Sequence, residues 1–335
     1  LKELSAQAEA REDWAAAAGY LRMAEFFMVP DTPECHAVYD RAREIFYTHF
    51  TYLFAEQGGP IHREKVPYEG GVLPCWRVLP DGASKGTILF HGGNDSLLEE
   101  FTDALLYLAQ GGYTVLAFEG PGQGAALRKS GLTFTPEWEK PVGAVLDHYG
   151  AEDVTIIGVS LGGELCMRAA AMEPRIRRVV SWSVLPSIYG ALMADKPAEI
   201  RAKLEHWLDE NNRDAILDLY AGLAEREPLF RWSIQHSNYA YGTSDVYEYL
   251  QKARAFTIEP VAERITQDVL LLSAREDLLV DFALYKQEID LLKNTRSLEF
   301  AAPGRALNGQ AHCNMGNTKY MLDLILNWND RMLER

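Results

Sequence analysis

The stretch Gly158-Val159-Ser160-Leu161-Gly162-Gly163 constrains this chain more than any other. It closes the apolar run Val154 to Val159, which reads as a buried strand, and opens the Ala-rich segment Leu161 to Met172, which reads as a helix. A strand that turns into a helix across a single residue has no room for side chains on either flank, hence the glycines. Such a turn lifts the Ser160 hydroxyl clear of the sheet. It also aims the N–H of Leu161 at the place where an attacked carbonyl oxygen becomes negative. The pattern reads as a nucleophile.

The chain around it alternates short strands with helices from about Ile61 onward. Thr87 to Phe90, Thr114 to Phe118, Val154 to Val159, Arg178 to Trp182, Val269 to Ser273 and Ser297 to Phe300 are strand-like, and helical segments fall between them. Strict alternation implies βαβ crossovers and a mostly parallel, doubly wound sheet, an α/β fold. Residues 1–70 differ: Ala6 to Met28 and Cys35 to Phe54 carry helical spacing, broken at Pro30 and Pro33, and suggest a helical N-terminal module. The sheet domain then occupies 71–335. Within it, residues 184–267 interrupt the alternation with helical, aromatic-rich sequence. An insertion after a parallel strand lies over the carboxyl edge of the sheet, where ligands bind, so this segment is expected to be a lid.

A serine hydroxyl needs a base, and the base needs an orienting acid. Folds built on such a turn place the acid after a later strand and the histidine after the last. Of the eight histidines only His312 follows the last strand, Ser297 to Phe300. Asp277, in Ala274-Arg275-Glu276-Asp277-Leu278-Leu279-Val280, is the acid expected after Val269 to Ser273, with Asp281 capping the next helix. His91-Gly92-Gly93-Asn94 follows an early strand. The N–H of Gly93 or Asn94 is expected to pair with that of Leu161 as an oxyanion hole, with His91 a structural hydrogen-bonder beneath. Asp95, Glu99 and Glu100 suit a helix N-terminus, and Glu99 is also a candidate at the pocket mouth. Trp232, His236, Tyr239 and Tyr241 are the pocket candidates of the lid. Glu119-Gly120-Pro121-Gly122-Gln123-Gly124 lacks the Lys-Ser/Thr of a phosphate loop and reads as a tight loop lining the site.

Composition excludes several classes. Lys plus Arg is 33 against 48 Asp plus Glu, a net charge of −15, which argues against nucleic acid and anionic membrane as partners. The four cysteines form no CxxC pair, so neither a metal site nor a redox motif is expected, and no cofactor is implied. No apolar run approaches the roughly 18 residues of a spanning helix. A cytoplasmic enzyme of a small-molecule substrate is the expectation, with the N-terminal module either packed on the main domain or used in the contacts of a homodimer.

Taken together, His91-Gly92-Gly93-Asn94-Asp95-Ser96 with Glu99-Glu100, Phe118 to Gly124, Gly158 to Gly163, Glu173-Pro174-Arg175 before Ser181-Trp182, and Ala311-His312-Cys313 resemble one branch of the α/β-hydrolase superfamily. This branch contains 2,6-dihydropseudooxynicotine hydrolase, fungal polyketide-shortening hydrolases of melanin pathways, and FrsA-like esterases. The resemblance runs from about Thr87 to the end. It implies an α/β-hydrolase fold and hydrolysis by Ser160, Asp277 and His312, in the named members of a carbon–carbon bond next to a ketone (a retro-Claisen reaction). Carboxylesterase or lactonase chemistry uses the same residues and stays open. An acylaminoacyl-type peptidase lacks support without a propeller-like domain. A non-catalytic receptor of this fold would not need all three residues. Arg305 to Gln310, before His312, follow no pattern of the group.

Overall fold

The computed structural model describes residues 1–194 and 196–335. Three helices come first: α1 (Lys2–Glu9), α2 (Trp14–Phe26) and α3 (Pro33–His49). The helical stretch expected from Ala6 is broken, because Glu12 takes a left-handed φ of 60° and Asp13 starts α2 by accepting the Ala16 N–H. These helices share a small core of Ala8, Ala17, Leu21, Val38, Ala42 and Ile45. The boundary drawn at residue 70 falls late. Strand β1 (Ile61–Tyr68) already belongs to the sheet, pairing antiparallel with β2 (Gly71–Val78) across a turn in which Glu69 and Gly70 both have positive φ.

The remaining elements are β3 (Thr87–His91), α4 (Thr102–Gln110), β4 (Thr114–Phe118), α5 (Gly124–Ser130), α6 (Glu139–Tyr149), β5 (Val154–Val159), α7 (Gly162–Met172) and β6 (Ile176–Trp182). The inserted segment holds α8 (Ile188–Ala194), α9 (Ala198–Asp209), α10 (Arg213–Arg226), α11 (Pro228–Tyr241) and α12 (Val246–Ala253). The chain then returns through β7 (Asp268–Leu272), α13 (Leu284–Leu291), β8 (Ser297–Ala301) and α14 (Thr318–Leu333).

The sheet has eight strands in the order β1-β2-β4-β3-β5-β6-β7-β8, parallel from β4 to β8 and antiparallel at the β1-β2-β4 end. Both faces are covered, which is why the central strands are mostly apolar and β5 is buried at every residue. Successive residues alternate between the two sides. Leu89, Ile156, Val179 and Leu271 pack toward α6, α7 and the lid, while Ile88, Ile157, Val180 and Leu270 pack toward α4 and α14. The parallel strands all end at one edge, and the loops that follow β3, β5, β7 and β8 gather there. No helix among the described residues is long and apolar enough to cross a membrane.

Candidate functional site

Ser160 sits between β5 and α7 with φ 60°, a left-handed conformation that costs a non-glycine residue on the order of 1 kcal/mol or more. Its neighbours hold it there. A Cβ on Gly158 would stand 1.9 Å from the Gly162 carbonyl oxygen, and one on Gly162 would stand 2.6 Å from that of Gly92. Backbone meets backbone at this turn, so only glycine fits. Ser160 N–H donates to Trp182 O at 3.0 Å, tying the turn to the end of β6.

The loops after β7 and β8 bring two further side chains to the serine. His312 Nε2 lies 2.9 Å from Ser160 Oγ, and its Nδ1 lies 2.7 Å from Asp277 Oδ2. Asp277 also accepts the N–H groups of Leu279 and Val280 on its other oxygen, at 2.8 and 3.1 Å. Burial opposes charge on both partners. The hydrogen bond between them outweighs it, holding Asp277 below the usual carboxylate range and raising His312 well above the ordinary imidazole value. The pair therefore favours the imidazolium that forms when His312 takes a proton.

The loop carrying His312 is itself bent, with Cys313 and Asn314 at φ 50° and 56°. Asn314 fastens it: its amide donates to Ser273 O and Gly309 O, and its oxygen accepts the Trp182 indole N–H. Gln310 O accepts the Glu276 N–H, and Arg305 pairs with Glu276 on the surface. The stretch from Arg305 to Gln310, which matches no sequence pattern, thus braces the loop of Asp277 against the loop of His312. Glu276 points outward, away from the histidine.

The Gly92–Asp95 loop crosses over the serine turn. A Cβ on Gly93 would stand 2.7 Å from Ser160 Cβ and 2.9 Å from Leu161 N. Of the two donors expected here, the Gly93 N–H already donates to Ser96 Oγ at 3.1 Å. The N–H groups of Asn94 and Leu161 have no acceptor among the described residues. The open donors are therefore Asn94 and Leu161. His91 beneath is neutral: it accepts the Trp138 indole N–H on Nε2 and faces Gly92 O with Nδ1, and burial lowers it to about 4.

Sequence reasoning missed what supports this loop. Gln123 is buried and its amide donates to Gly92 O and Gly93 O. Glu119, also buried, accepts the Leu98 and Ala125 N–H groups. The Glu119-to-Gly124 motif scaffolds the loop, which no periodicity could have signalled.

The lid candidates divide. His236 on α11 is buried with Nε2 3.3 Å from Asn94 O. Trp232 stacks on His236 and donates its indole N–H to Phe26 O on α2. Tyr239 is half-buried against the main core. Tyr241 is a correction: it is 1% exposed, in a ring cluster with Phe134, Tyr249 and Phe256, and so is lid core, not pocket wall. Glu99 faces the N-terminal helices, where it accepts from Arg43 and Tyr47 at 2.8 and 2.7 Å. It lines a cleft of about 440 Å³ between α2, α3 and residues 97–103, and Ser160 is not in that lining. Among the described residues no cluster of three His, Cys, Asp or Glu side chains could hold a metal ion.

Residues 88–308 match the family model of the alpha/beta hydrolase fold. The chain is 29% identical over 335 residues to Hydrolase ORFZ of Pyricularia oryzae, covering 91% of this chain and 75% of that protein. It is 31% identical over 277 residues to Alpha/beta hydrolase psoB of Aspergillus fumigatus, covering 75% of this chain and 60% of that protein. Its fold is similar to the crystal structure of 2,6-dihydroxy-pseudo-oxynicotine hydrolase, with a TM-score of 0.66 at 17% identity over 99% of this chain and 85% of that one. The chain thus spans between 60% and 75% of the length of these curated relatives.

Proposed function

The chain belongs to the alpha/beta hydrolase fold family, and on that footing we propose that it is a serine-dependent hydrolase of carbonyl compounds, cleaving a carbon–carbon bond next to a ketone. The observation that carries the reading is the continuous hydrogen-bonded series from Ser160 Oγ through His312 to Asp277, at 2.9 and 2.7 Å. His312 takes the Ser160 proton as Oγ attacks the carbonyl carbon. The oxygen, now negative, lies against the Leu161 and Asn94 N–H groups. Collapse of this adduct expels the neighbouring carbon with its electron pair as an enolate, and the His312 imidazolium returns the proton to it. Water, activated by His312, then frees the acyl group from Ser160.

Ester cleavage uses the same residues with an alkoxide as leaving group. Two things favour the carbon–carbon reading. The motif set resembles a branch that holds carbon–carbon hydrolases beside esterases, and the likeness in fold to a pseudo-oxynicotine hydrolase covers 99% of this chain, N-terminal helices included. Leu278 and Leu279 beside Asp277, and Met315 beyond His312, are exposed, consistent with an apolar ketone approaching this edge. The deciding experiment compares kcat/KM for an aryl β-diketone with that for an alkyl ester of similar size. Preference for the diketone supports the proposal, and clear preference for the ester makes the chain an esterase.

A further inference from the structure

We propose that Gln123 is a positioning residue for this hydrolysis: its side-chain amide fixes the peptide plane that presents the Asn94 N–H to the oxyanion. The inference rests on Ser160 being the nucleophile.

The argument begins with the amide itself. Gln123 is 2% exposed and all three of its polar bonds go to backbone. Its Oε1 accepts the Gly120 N–H at 2.9 Å, which settles which end is oxygen. Its Nε2 then has two hydrogens, and they meet two consecutive carbonyls, Gly92 O at 2.8 Å and Gly93 O at 2.9 Å.

A trans peptide is planar, with its C=O and N–H pointing in opposite directions. Holding a carbonyl therefore aims the N–H on the far side of the same plane. In the Gly92–Gly93 peptide that N–H reaches Ser96 Oγ, so this plane is fixed at both ends. The Gly93–Asn94 peptide is held only at its oxygen, by Gln123. Its N–H, that of Asn94, is turned away from Gln123 and has no acceptor among the described residues. The loop passes directly over the serine turn, since a Cβ on Gly93 would touch both Ser160 Cβ and Leu161 N. Without the Gln123 bond nothing else among the described residues holds the Gly93 carbonyl, and this one plane can rotate while the rest of the loop stays in place. The orientation is there before the substrate arrives, which is what electrostatic stabilisation of a developing charge requires.

The test uses the full chain, p-nitrophenyl acetate as probe substrate, and trifluoroacetophenone, whose serine hemiketal carries an oxyanion. Gln123→Met keeps the volume and removes the donors. Complete loss of an oxyanion donor lowers kcat by roughly 10²–10³, so a donor that is present but unaimed is expected to lose about 10–100-fold. KM should stay within about twofold. Inhibition by trifluoroacetophenone should weaken in parallel with kcat, while inhibition by the product p-nitrophenol, which forms no oxyanion, stays constant. Gln123→Glu provides a second arm. When protonated it still donates to one carbonyl, and when ionised it repels both, so its kcat should fall with rising pH through a step absent from the parent. A folded Gln123→Met protein with kcat within threefold of the parent would overturn the proposal, as would a Gln123→Glu profile identical to the parent's. Should Ser160→Ala retain turnover, it is the nucleophile reading that fails instead.

Discussion

His236 of the lid stands with its Nε2 3.3 Å from the carbonyl oxygen of Asn94, so the lid rests directly on the loop that crosses the nucleophile turn. Burial lowers the His236 pKa, so at neutral pH the ring is uncharged and donates a single hydrogen bond. His236→Phe keeps a ring to stack on Trp232 and removes the donor. It should lower stability by about 1 kcal/mol, read by urea denaturation, with His236→Gln closer to the parent. An unmoved midpoint in the Phe variant would remove this contact from the account.

Ser160→Ala should abolish hydrolysis of any acyl probe while leaving the melting curve intact or slightly improved, since alanine has no hydroxyl to lose. Serines in such hydrogen-bonded series account for a factor of about 10⁶ in turnover. Residual activity within tenfold of the parent would rule out the nucleophile assignment.

Asp277→Asn keeps the shape but offers His312 an amide in place of a carboxylate, leaving the imidazole in the wrong tautomer. A loss on the order of 10⁴ in kcat is expected. Glu276→Gln, one residue earlier, should change kcat by less than about twofold, because Glu276 pairs with Arg305 at the surface. The two variants measured side by side decide the register of this loop.

Glu25 is 3% exposed and shared by two arginines, Arg22 and Arg128. Arg22 also donates to Asp95 O at 2.6 Å, so Glu25 sits where α2, α5 and the loop after β3 meet. Glu25→Gln leaves the buried Arg128 guanidinium without its counter-charge, while Arg22 keeps Glu100. Breaking a buried pair costs about 3–5 kcal/mol, and calorimetry should find a large drop in Tm.

Glu164 on α7 and Glu288 on α13 are both fully enclosed, and both Glu288 oxygens and Glu164 Oε2 lack a hydrogen-bond partner. Burial, and for Glu288 also the charge of Glu164, pushes each carboxyl up to about 8 from 4.5. Between these values the folded chain keeps protons that the unfolded chain has lost. Stability therefore falls as pH rises from about 4.5 to about 8, by up to about 1.4 kcal/mol per pH unit for each group. Glu288→Gln should raise Tm at pH 8 and leave it unchanged near pH 4.5. An equal shift at both pH values would contradict this.

Much of this architecture is legible in the chain because it is local. The Gly158-to-Gly163 turn announces itself through glycines that backbone contact demands, and counting strands leads to His312 and to the loop that holds Glu276, Asp277 and Asp281. What was hidden depends on pairings between distant segments. Gln123 reaching Gly92 and Gly93, and Arg22 reaching Asp95, leave no periodic trace in either partner. Nor does local sequence distinguish Tyr241, which holds the lid core, from Trp232, which faces α2. Both are aromatics on one helix, and only the packed neighbours separate them.

The wide spacing of Ser160, Asp277 and His312 along the chain has a consequence for synthesis. Ser160 precedes His312 by 152 residues, and Asp277 precedes it by 35. β8 ends at Ala301, eleven residues short of the histidine. A ribosome therefore delivers all eight described strands of the sheet before it delivers His312. A growing chain that has just emerged past β8 holds its strained Ser160 with no His312 yet beside it. On the proposed reading, hydrolysis therefore reports that the loop after β8 has closed over the sheet, since that loop brings His312 to Ser160.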